Sequence, residues 1–159
     1  MNICKIIIFC FIGLVFNSCS SQKEVKKTPF KTEEVYYQGW IGGQEQTGSG
    51  INFYLKFKEP ISANFLLKKV YFRGKEANFE KRGDALFIAY FYQRPNNPDL
   101  IPSENEEPKE VKPLPDFAKN LKPNEAIVEF EQDNKTQVYK IENIKEKELI
   151  AYPSARPRN

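Results

Sequence analysis

The chain has 159 residues, which is enough for one domain with a substantial core. It contains no histidine, so the usual Ser-His-Asp and Cys-His catalytic sites and the histidine-ligated metal sites are excluded. Its 24 basic and 21 acidic residues leave a formal net charge of +3, and no basic run is interleaved with aromatic residues, so nucleic acid is not an expected partner.

The first element is a short cationic start followed by the uncharged run Ile6 to Phe16. A membrane-spanning helix needs about 20 apolar residues, so this run is too short to cross a bilayer. Behind Lys5 it is typical of a secretory signal peptide, the alternative being a buried N-terminal strand or helix. All three cysteines, Cys4, Cys10 and Cys19, lie in or next to this segment. No disulfide, metal or cofactor is therefore predicted in the rest of the chain.

Cys19 gives this segment a more specific interpretation. Residues 1–21, in which the small Ser18 precedes Cys19, resemble the precursor of a bacterial lipoprotein, of a relaxed kind found in Bacteroidota with Phe16 where leucine is usual. The resemblance implies cleavage between Ser18 and Cys19 and lipid on Cys19, which would hold the protein stably on a membrane. The expected location is the cell envelope, lipid-anchored in the outer membrane, with the periplasmic or surface face left open.

The chain between the lipid site and the domain is polar and charged. Residues 1–18 are thus predicted as the signal peptide, and residues 19–32, with Cys19 at their start, as a lipidated flexible tether.

Residues 33–152 are predicted to form one β-domain. Its clearest strand is Ile51 to Lys58, where apolar and polar residues alternate over the whole length. The glycine-rich residues 42–50 before it are predicted as a hairpin loop, since no helix follows as a phosphate-binding loop would require. The other strands are predicted from β-branched and aromatic residues at Glu34 to Ile41, Phe65 to Arg73, Glu76 to Lys81, Ala85 to Gln93, Glu125 to Glu131, Thr136 to Ile141, and around Ile144, Leu149 and Ile150.

Residues 94–124 are predicted as a long acidic loop because they contain seven of the eleven prolines. The loop offers oxygen ligands for calcium, but their spacing fits no calcium-loop pattern, so a solvated excursion is favoured. A helical turn at Asp116 to Leu121 is predicted to return the chain to the core, and residues 153–159 are predicted as a tail. The candidate calcium ligands are Asn96, Asn97, Asp99, Glu104 and Glu106.

Many short strands without a long helix predict an all-β fold. An antiparallel β-sandwich of immunoglobulin-like shape is the first choice and a small barrel is the second. Neither architecture identifies a function by itself.

Aromatic residues are the richest candidate binding groups in the sequence. They are abundant enough to build a platform on which a sugar or a peptide stacks, although aromatic residues in strands more often belong to the core. The best candidates for ligand contact are Trp40, beside the glycine-rich loop, and Tyr54, on the polar face of its strand. The full set of candidates is Tyr36, Trp40, Tyr54, Tyr71, Tyr90 and Tyr92.

Carboxylates offer the remaining catalytic route. Glu33, Glu34, Glu45 and Asp84 are available to a histidine-free hydrolase, but nothing in their spacing pairs two of them across a substrate bond. The chain is therefore predicted not to be an enzyme.

Two further segments of the chain resemble parts of known bacterial lipoproteins. The sequences Tyr71 to Lys75 and Ala151 to Ser154 resemble small uncharacterised flavobacterial lipoproteins, which implies a location and no chemistry. The leading hypothesis is a lipid-anchored, non-catalytic interaction or structural module of the envelope, with an envelope protein as one candidate partner. A small-molecule or glycan-binding protein using exposed aromatic residues is the alternative, and the carboxylate hydrolase is the second alternative.

Overall fold

A computed structural model describes residues 23–24, 30–44, 47–93 and 113–153. Its strands are β1 (Lys23–Glu24), β2 (Thr32–Ile41), β3 (Ser49–Phe57), β4 (Phe65–Phe72), β5 (Lys75–Lys81), β6 (Leu86–Gln93), β7 (Ala126–Gln132), β8 (Lys135–Ile141) and β9 (Lys145–Ala151). One 3₁₀ turn, Asp116–Ala118, precedes β7. None of the helices in the described part of the chain has the length and apolarity needed to cross a bilayer.

The strands form one continuous sheet in the order β1-β8-β7-β4-β5-β6-β3-β2-β9. β1 lies parallel to β8 and β9 lies parallel to β2, and the other neighbours are antiparallel. The first half of β5 pairs with β4 and its second half, from Phe79, pairs with β6. The sheet therefore curls into a half-barrel about β5, and its two halves share one core.

The predicted all-β class is confirmed, whereas an immunoglobulin-like sandwich is not shown. Such a sandwich has two separate antiparallel sheets. Here β5 belongs to both halves, and two of the strand pairs are parallel. Chain order alone does not reveal that one strand divides its pairing between two neighbours.

The core fills the concave side of the half-barrel. In β3, Phe53, Leu55 and Phe57 are buried and the intervening residues are not, as the alternation of apolar and polar residues predicts. Across the core, the ring centroid of Phe72 on β4 lies 5.4 Å from that of Phe53 and 6.1 Å from that of Phe91 on β6. These contacts hold the two halves of the sheet against each other.

Phe30 seals the end of this core ahead of β2. Its side chain is only 8% exposed. The ring meets four others edge-on, with centroid separations of 5.2 Å to Phe57, 5.5 Å to Phe65, 6.0 Å to Phe130 and 5.7 Å to Tyr139. The packed domain therefore includes part of residues 19–32, which are predicted as a tether. The pairing of β1 with β8 also lies within this range.

A second, smaller cluster covers the convex side of β4, β7 and β8. The 3₁₀ turn buries Ala118 there, and Phe117 packs edge-on against Tyr71 with a centroid separation of 5.3 Å. This confirms a turn that returns residues 113–121 to the domain. Residues 94–112, with all the candidate calcium ligands, lie outside the described residues. The cluster consists of Tyr71, Ala118, Ile127 and Val138, with Leu114 and Leu121 packed against it.

Tyr71 also makes the buried polar contact of this cluster, donating a hydrogen bond of 2.9 Å from its hydroxyl to Glu129 Oε2. Burial first, and then the bond to Glu129, raise the pKa of Tyr71 well above its usual range. The neutral phenol is therefore the folded form at every ordinary pH. The raised pKa of Tyr71 means that the neutral phenol stabilises the folded state. This contribution is complete below pH ~10, the pKa of an unfolded tyrosine, and falls as the pH rises towards the folded pKa.

Replacing Tyr71 by phenylalanine is expected to lower the free energy of unfolding by about 1–2 kcal/mol at neutral pH, because a hydrogen bond to a charged group is lost. Above pH ~10, the free energy of unfolding should fall less steeply with rising pH in the variant than in the parent. Denaturant titrations between pH 7 and 11 measure both effects. Tyr90→Phe, whose hydroxyl is exposed and accepts from Arg82, is the control and should stay within about 0.5 kcal/mol of the parent. Parallel pH profiles for parent and Tyr71→Phe would contradict the assignment.

Candidate functional site

Five of the six candidate aromatic residues lie on one side of the sheet. Residues of β2, β3 and β6 alternate between the core and the convex side, and the core receives Tyr37, Phe53 and Phe91. The convex side of these three strands, called the aromatic face here, carries Tyr36, Trp40, Tyr54, Tyr90 and Tyr92. The sixth candidate, Tyr71, lies in the other half of the sheet within the smaller cluster.

Strand register divides the aromatic face into two groups. Tyr36 lies opposite Tyr54 in the β2–β3 pairing, and their rings stack at 4.5 Å with an interplanar angle of 11°. The Lys147 ammonium lies 3.4 Å from the centroid of the Tyr36 ring. The tyrosine pair therefore already has contacts within the protein, and Tyr54 is half-buried.

Lys147 keeps its charge over this pair. A hydrogen bond to Glu34, 2.8 Å away, is the main cause that raises the pKa of Lys147. Burial raises the pKa of Tyr36, partly offset by Lys147. Because an ammonium over a neutral phenol ring is a favourable cation–π contact, this part of the face acts as a structural brace.

The second group surrounds Trp40. In the sheet register Trp40 pairs with Gly50, which in turn pairs with Tyr92. A Cβ atom on Gly50 would lie 2.6 Å from Trp40 Nε1 and 2.7 Å from Trp40 Cε2, so the indole lies directly over this glycine. The indole reaches across Gly50 towards Tyr92, whose ring centroid is 5.9 Å away at an interplanar angle of 26°.

Tyr152 completes this group from the far end of the chain. β9 pairs with β2, and the Tyr152 amide donates a 3.0 Å bond to the Ile41 carbonyl oxygen. This places the Tyr152 ring edge-on to Trp40, with a centroid separation of 6.2 Å. Tyr92 and Tyr152 are each 51% exposed. No local pattern indicated a binding role for Tyr152, because such patterns do not reveal a parallel pairing between the first long strand and the last one.

A cleft of about 330 Å³ opens beside Trp40 and is called the Trp40 cleft here. The glycine-rich loop forms its other wall, closed by the bond from the Gly42 amide to the Gly48 carbonyl oxygen, 2.9 Å long. Thr47 Oγ1 fixes this loop by donating to the Gln44 carbonyl oxygen at 2.6 Å. No carboxylate belongs to the described lining, which consists of Trp40, Gly42, Gly43, Gln44, Thr47, Tyr152 and Pro153.

Comparisons with protein-family models, curated proteins and solved structures found no match. The geometry of the Trp40 cleft is therefore what supports a functional proposal. An aromatic ring with exposed neighbours and amide and hydroxyl groups at its rim suits a flat ligand with one apolar face and polar edges.

Three of the four candidate acids, Glu33, Glu34 and Asp84, are described, and none of them lines this cleft. Each described one lies near a lysine: Glu33 is 2.9 Å from Lys56, Glu34 is 2.8 Å from Lys147, and Asp84 is 4.0 Å from Lys81. Glu45, Ser18 and Cys19 are outside the described residues. Within the described ranges, no group of three or more acidic or cysteine residues is arranged to hold a metal ion.

Proposed function

We propose that this chain is a lipid-anchored, non-catalytic binding module of the cell envelope whose Trp40 cleft holds a sugar ring of a glycan. The observation that carries the proposal is the placement of the Trp40 indole over Gly50 between two half-exposed tyrosines, Tyr92 and Tyr152. Sugar rings present an apolar face of C–H groups and an edge of hydroxyls, so they match an aromatic wall with a polar rim.

A protein partner is the second candidate for the same role. The edge strand β9 exposes Leu149, 57% accessible, which favours a contact there. The same strand contains Lys145, Glu146, Lys147 and Glu148, and charged residues on an edge oppose the addition of a partner strand. The glycan hypothesis is therefore preferred.

Tryptophan fluorescence tests the glycan hypothesis directly, because Trp40 is the only tryptophan in the chain. Titration with neutral hexasaccharides of β-glucan, chitin and mannan is expected to change the Trp40 emission saturably for at least one of them. Tyr92→Ala and Tyr152→Ala should each weaken that binding about two- to tenfold, since one aromatic contact is worth ~0.5–1.5 kcal/mol.

The matched control is Phe117→Ala, which removes a ring with 36% exposure from the opposite half of the sheet. It should bind the same hexasaccharide as tightly as the parent does. If no hexasaccharide changes the emission, or if Phe117→Ala weakens binding as much as Tyr92→Ala, the glycan hypothesis is rejected in favour of the protein partner.

The membrane anchor is a separate part of the proposal. Replacing Cys19 by alanine is expected to abolish acylation and to release the protein from the membrane fraction, because the module has no other proposed attachment. Partition into detergent, compared between parent and variant, measures the effect, with Ser20→Ala as the neighbouring control. Unchanged partition of Cys19→Ala would refute lipidation while leaving the proposed role of the Trp40 cleft intact.

If Cys19 carries lipid, the domain lies close to the membrane. β1 begins at Lys23 and is paired with β8. At ~3.5 Å per residue, the four steps from Cys19 to Lys23 span at most about 14 Å. The β1 edge of the sheet would then lie near the bilayer, while the Trp40 cleft lies at the other end of the strand order, on β2 beside β9.

A further inference from the structure

A second cavity, of about 240 Å³, opens on the concave side of the half-barrel and is called the basic pocket here. It lies between the start of β3, the end of β6 and the turn that joins β4 to β5. Its walls are the apolar side chains of Ile51, Phe72 and Phe91. Because these residues face the core and Trp40 and Tyr92 face the convex side, the basic pocket is separate from the Trp40 cleft.

The rim of the basic pocket is polar and carries two positive charges. It consists of Ser49 and Gln93 on neighbouring strands, and of Arg73 and Lys75 on either side of Gly74. Arg73 and Gly74 form the turn with φ values of 49° and 76°, as a two-residue hairpin turn requires. None of the lining residues is acidic.

Arg73 is held in place by described groups, and none of the residues in direct contact with its guanidinium is acidic. Its guanidinium carbon lies 4.4 Å from the Tyr37 ring centroid and 5.3 Å from that of Phe72. Its Nε donates to the Pro123 carbonyl oxygen at 3.1 Å, and its Nη2 donates to the Tyr37 hydroxyl. That hydroxyl donates in turn to Glu146 at 2.7 Å, so a phenol separates Arg73 from this carboxylate.

In the part of the chain that the structure describes, Lys75 forms no ion pair either. Across the described ranges, neither Arg73 nor Lys75 takes part in a salt bridge, whereas the next acid, Glu76, is paired with Lys69 at 3.0 Å. Two cations without a salt-bridge partner among the described residues, at the mouth of an apolar cavity, favour an anion there. A fixed guanidinium loses little side-chain freedom when it binds one.

We propose that the basic pocket binds a small carboxylate with a single apolar ring. The ring would pack against the half-buried Ile51, above the buried Phe72 and Phe91, and the carboxylate would lie at the rim between Arg73 and Lys75. A cavity of ~150 Å³ accepts a benzene ring, so about 240 Å³ accommodates one ring together with a carboxylate. A charge-assisted hydrogen bond to the carboxylate provides the preference over neutral ligands.

Benzoate and its neutral analogue benzamide test this proposal with the full chain in detergent. Amide resonances of Ser49, Gly50 and Lys75 are expected to move saturably with benzoate, and benzamide should bind at least about tenfold more weakly. Trp40 emission should not change. Equal affinities for the two compounds, no saturable shift, or shifts confined to other residues would each overturn the proposal.

Two lysines provide a matched pair of variants. Lys75 and Lys135 each begin a strand directly after a turn of two residues with positive φ, and both are exposed. Lys75→Gln should weaken benzoate binding about two- to fivefold, and Lys135→Gln should leave it unchanged. Arg73→Gln should weaken it more, and thermal unfolding shows whether that variant folds. If Arg73→Gln does not fold, the comparison of Lys75→Gln with Lys135→Gln decides: equal affinities reject the site.

Discussion

Replacing Phe30 by alanine is expected to lower the free energy of unfolding by about 3–5 kcal/mol, the usual cost of removing a buried phenylalanine. The ring makes edge-on contacts with four other rings, and its loss leaves a hole between β3, β4, β7 and β8 that backbone pairing prevents from closing. Since domains of this size are stable by only ~5–15 kcal/mol, the midpoint of thermal unfolding should fall by roughly 10–20 °C.

Denaturant titration of the full chain measures this change, and Leu66→Ala provides the control. Leu66 lies on β4, next to the contact residue Phe65, but its side chain is 57% exposed. The control should change the free energy of unfolding by less than about 1 kcal/mol. If Phe30→Ala lowers the free energy of unfolding no more than Leu66→Ala does, Phe30 belongs to a tether and does not seal the core.

Gly50→Ala is expected to destabilise the protein by about 1–3 kcal/mol and to displace Trp40, since added methyl groups in closely packed sites force their neighbours to shift. The new Cβ would lie 2.6 Å from the Phe91 carbonyl oxygen as well as 2.6 Å from Trp40 Nε1. The backbone oxygen is fixed by the β3–β6 pairing, so the indole moves. Trp40 emission should therefore change in the absence of any ligand, and hexasaccharide binding should be lost.

Gly83→Ala is the matched control for this substitution. A Cβ on Gly83 meets nothing closer than Leu86 Cβ at 3.8 Å, which is an ordinary contact. Its emission spectrum and hexasaccharide affinity should equal those of the parent. An unchanged spectrum for Gly50→Ala would show that the indole does not rest on this glycine.

Local sequence patterns were sufficient to place eight of the nine strands, whereas β1 lies in the range predicted as tether. The predicted Ile51 to Lys58 corresponds to β3 at Ser49–Phe57, and the predicted Phe65 to Arg73 corresponds to β4 at Phe65–Phe72. Gly39, inside the predicted strand Glu34 to Ile41, lies where the β2–β9 register shifts between Gln38 and Trp40. Alternation, glycine and turn residues are local signals, and they act within a few residues.

The arrangement of the strands depended on contacts that no local pattern encodes. Ala85 to Gln93 is predicted as a strand, and its residues from Ala85 to Tyr92 are apolar or aromatic throughout. β6 is central, but Tyr90 and Tyr92 remain exposed on the aromatic face. A continuous apolar or aromatic run does not reveal whether anything covers its second side. Tyr54 is predicted as a ligand contact because it lies on the polar face of its strand. Only the strand register shows that its ring stacks on that of Tyr36.

Pairing of the last strand with the first long one sets the order in which this molecule can fold. Tyr36 of β2 lies opposite Lys145 of β9, so one side of β2 stays without a partner until the end of the chain is available. Contacts between such distant residues form slowly, because a long loop must close before they stabilise anything. A nascent chain therefore leaves this side of β2 unpaired until residues 145–151 have been synthesised. β9 can therefore join the sheet only after the other described strands have been synthesised.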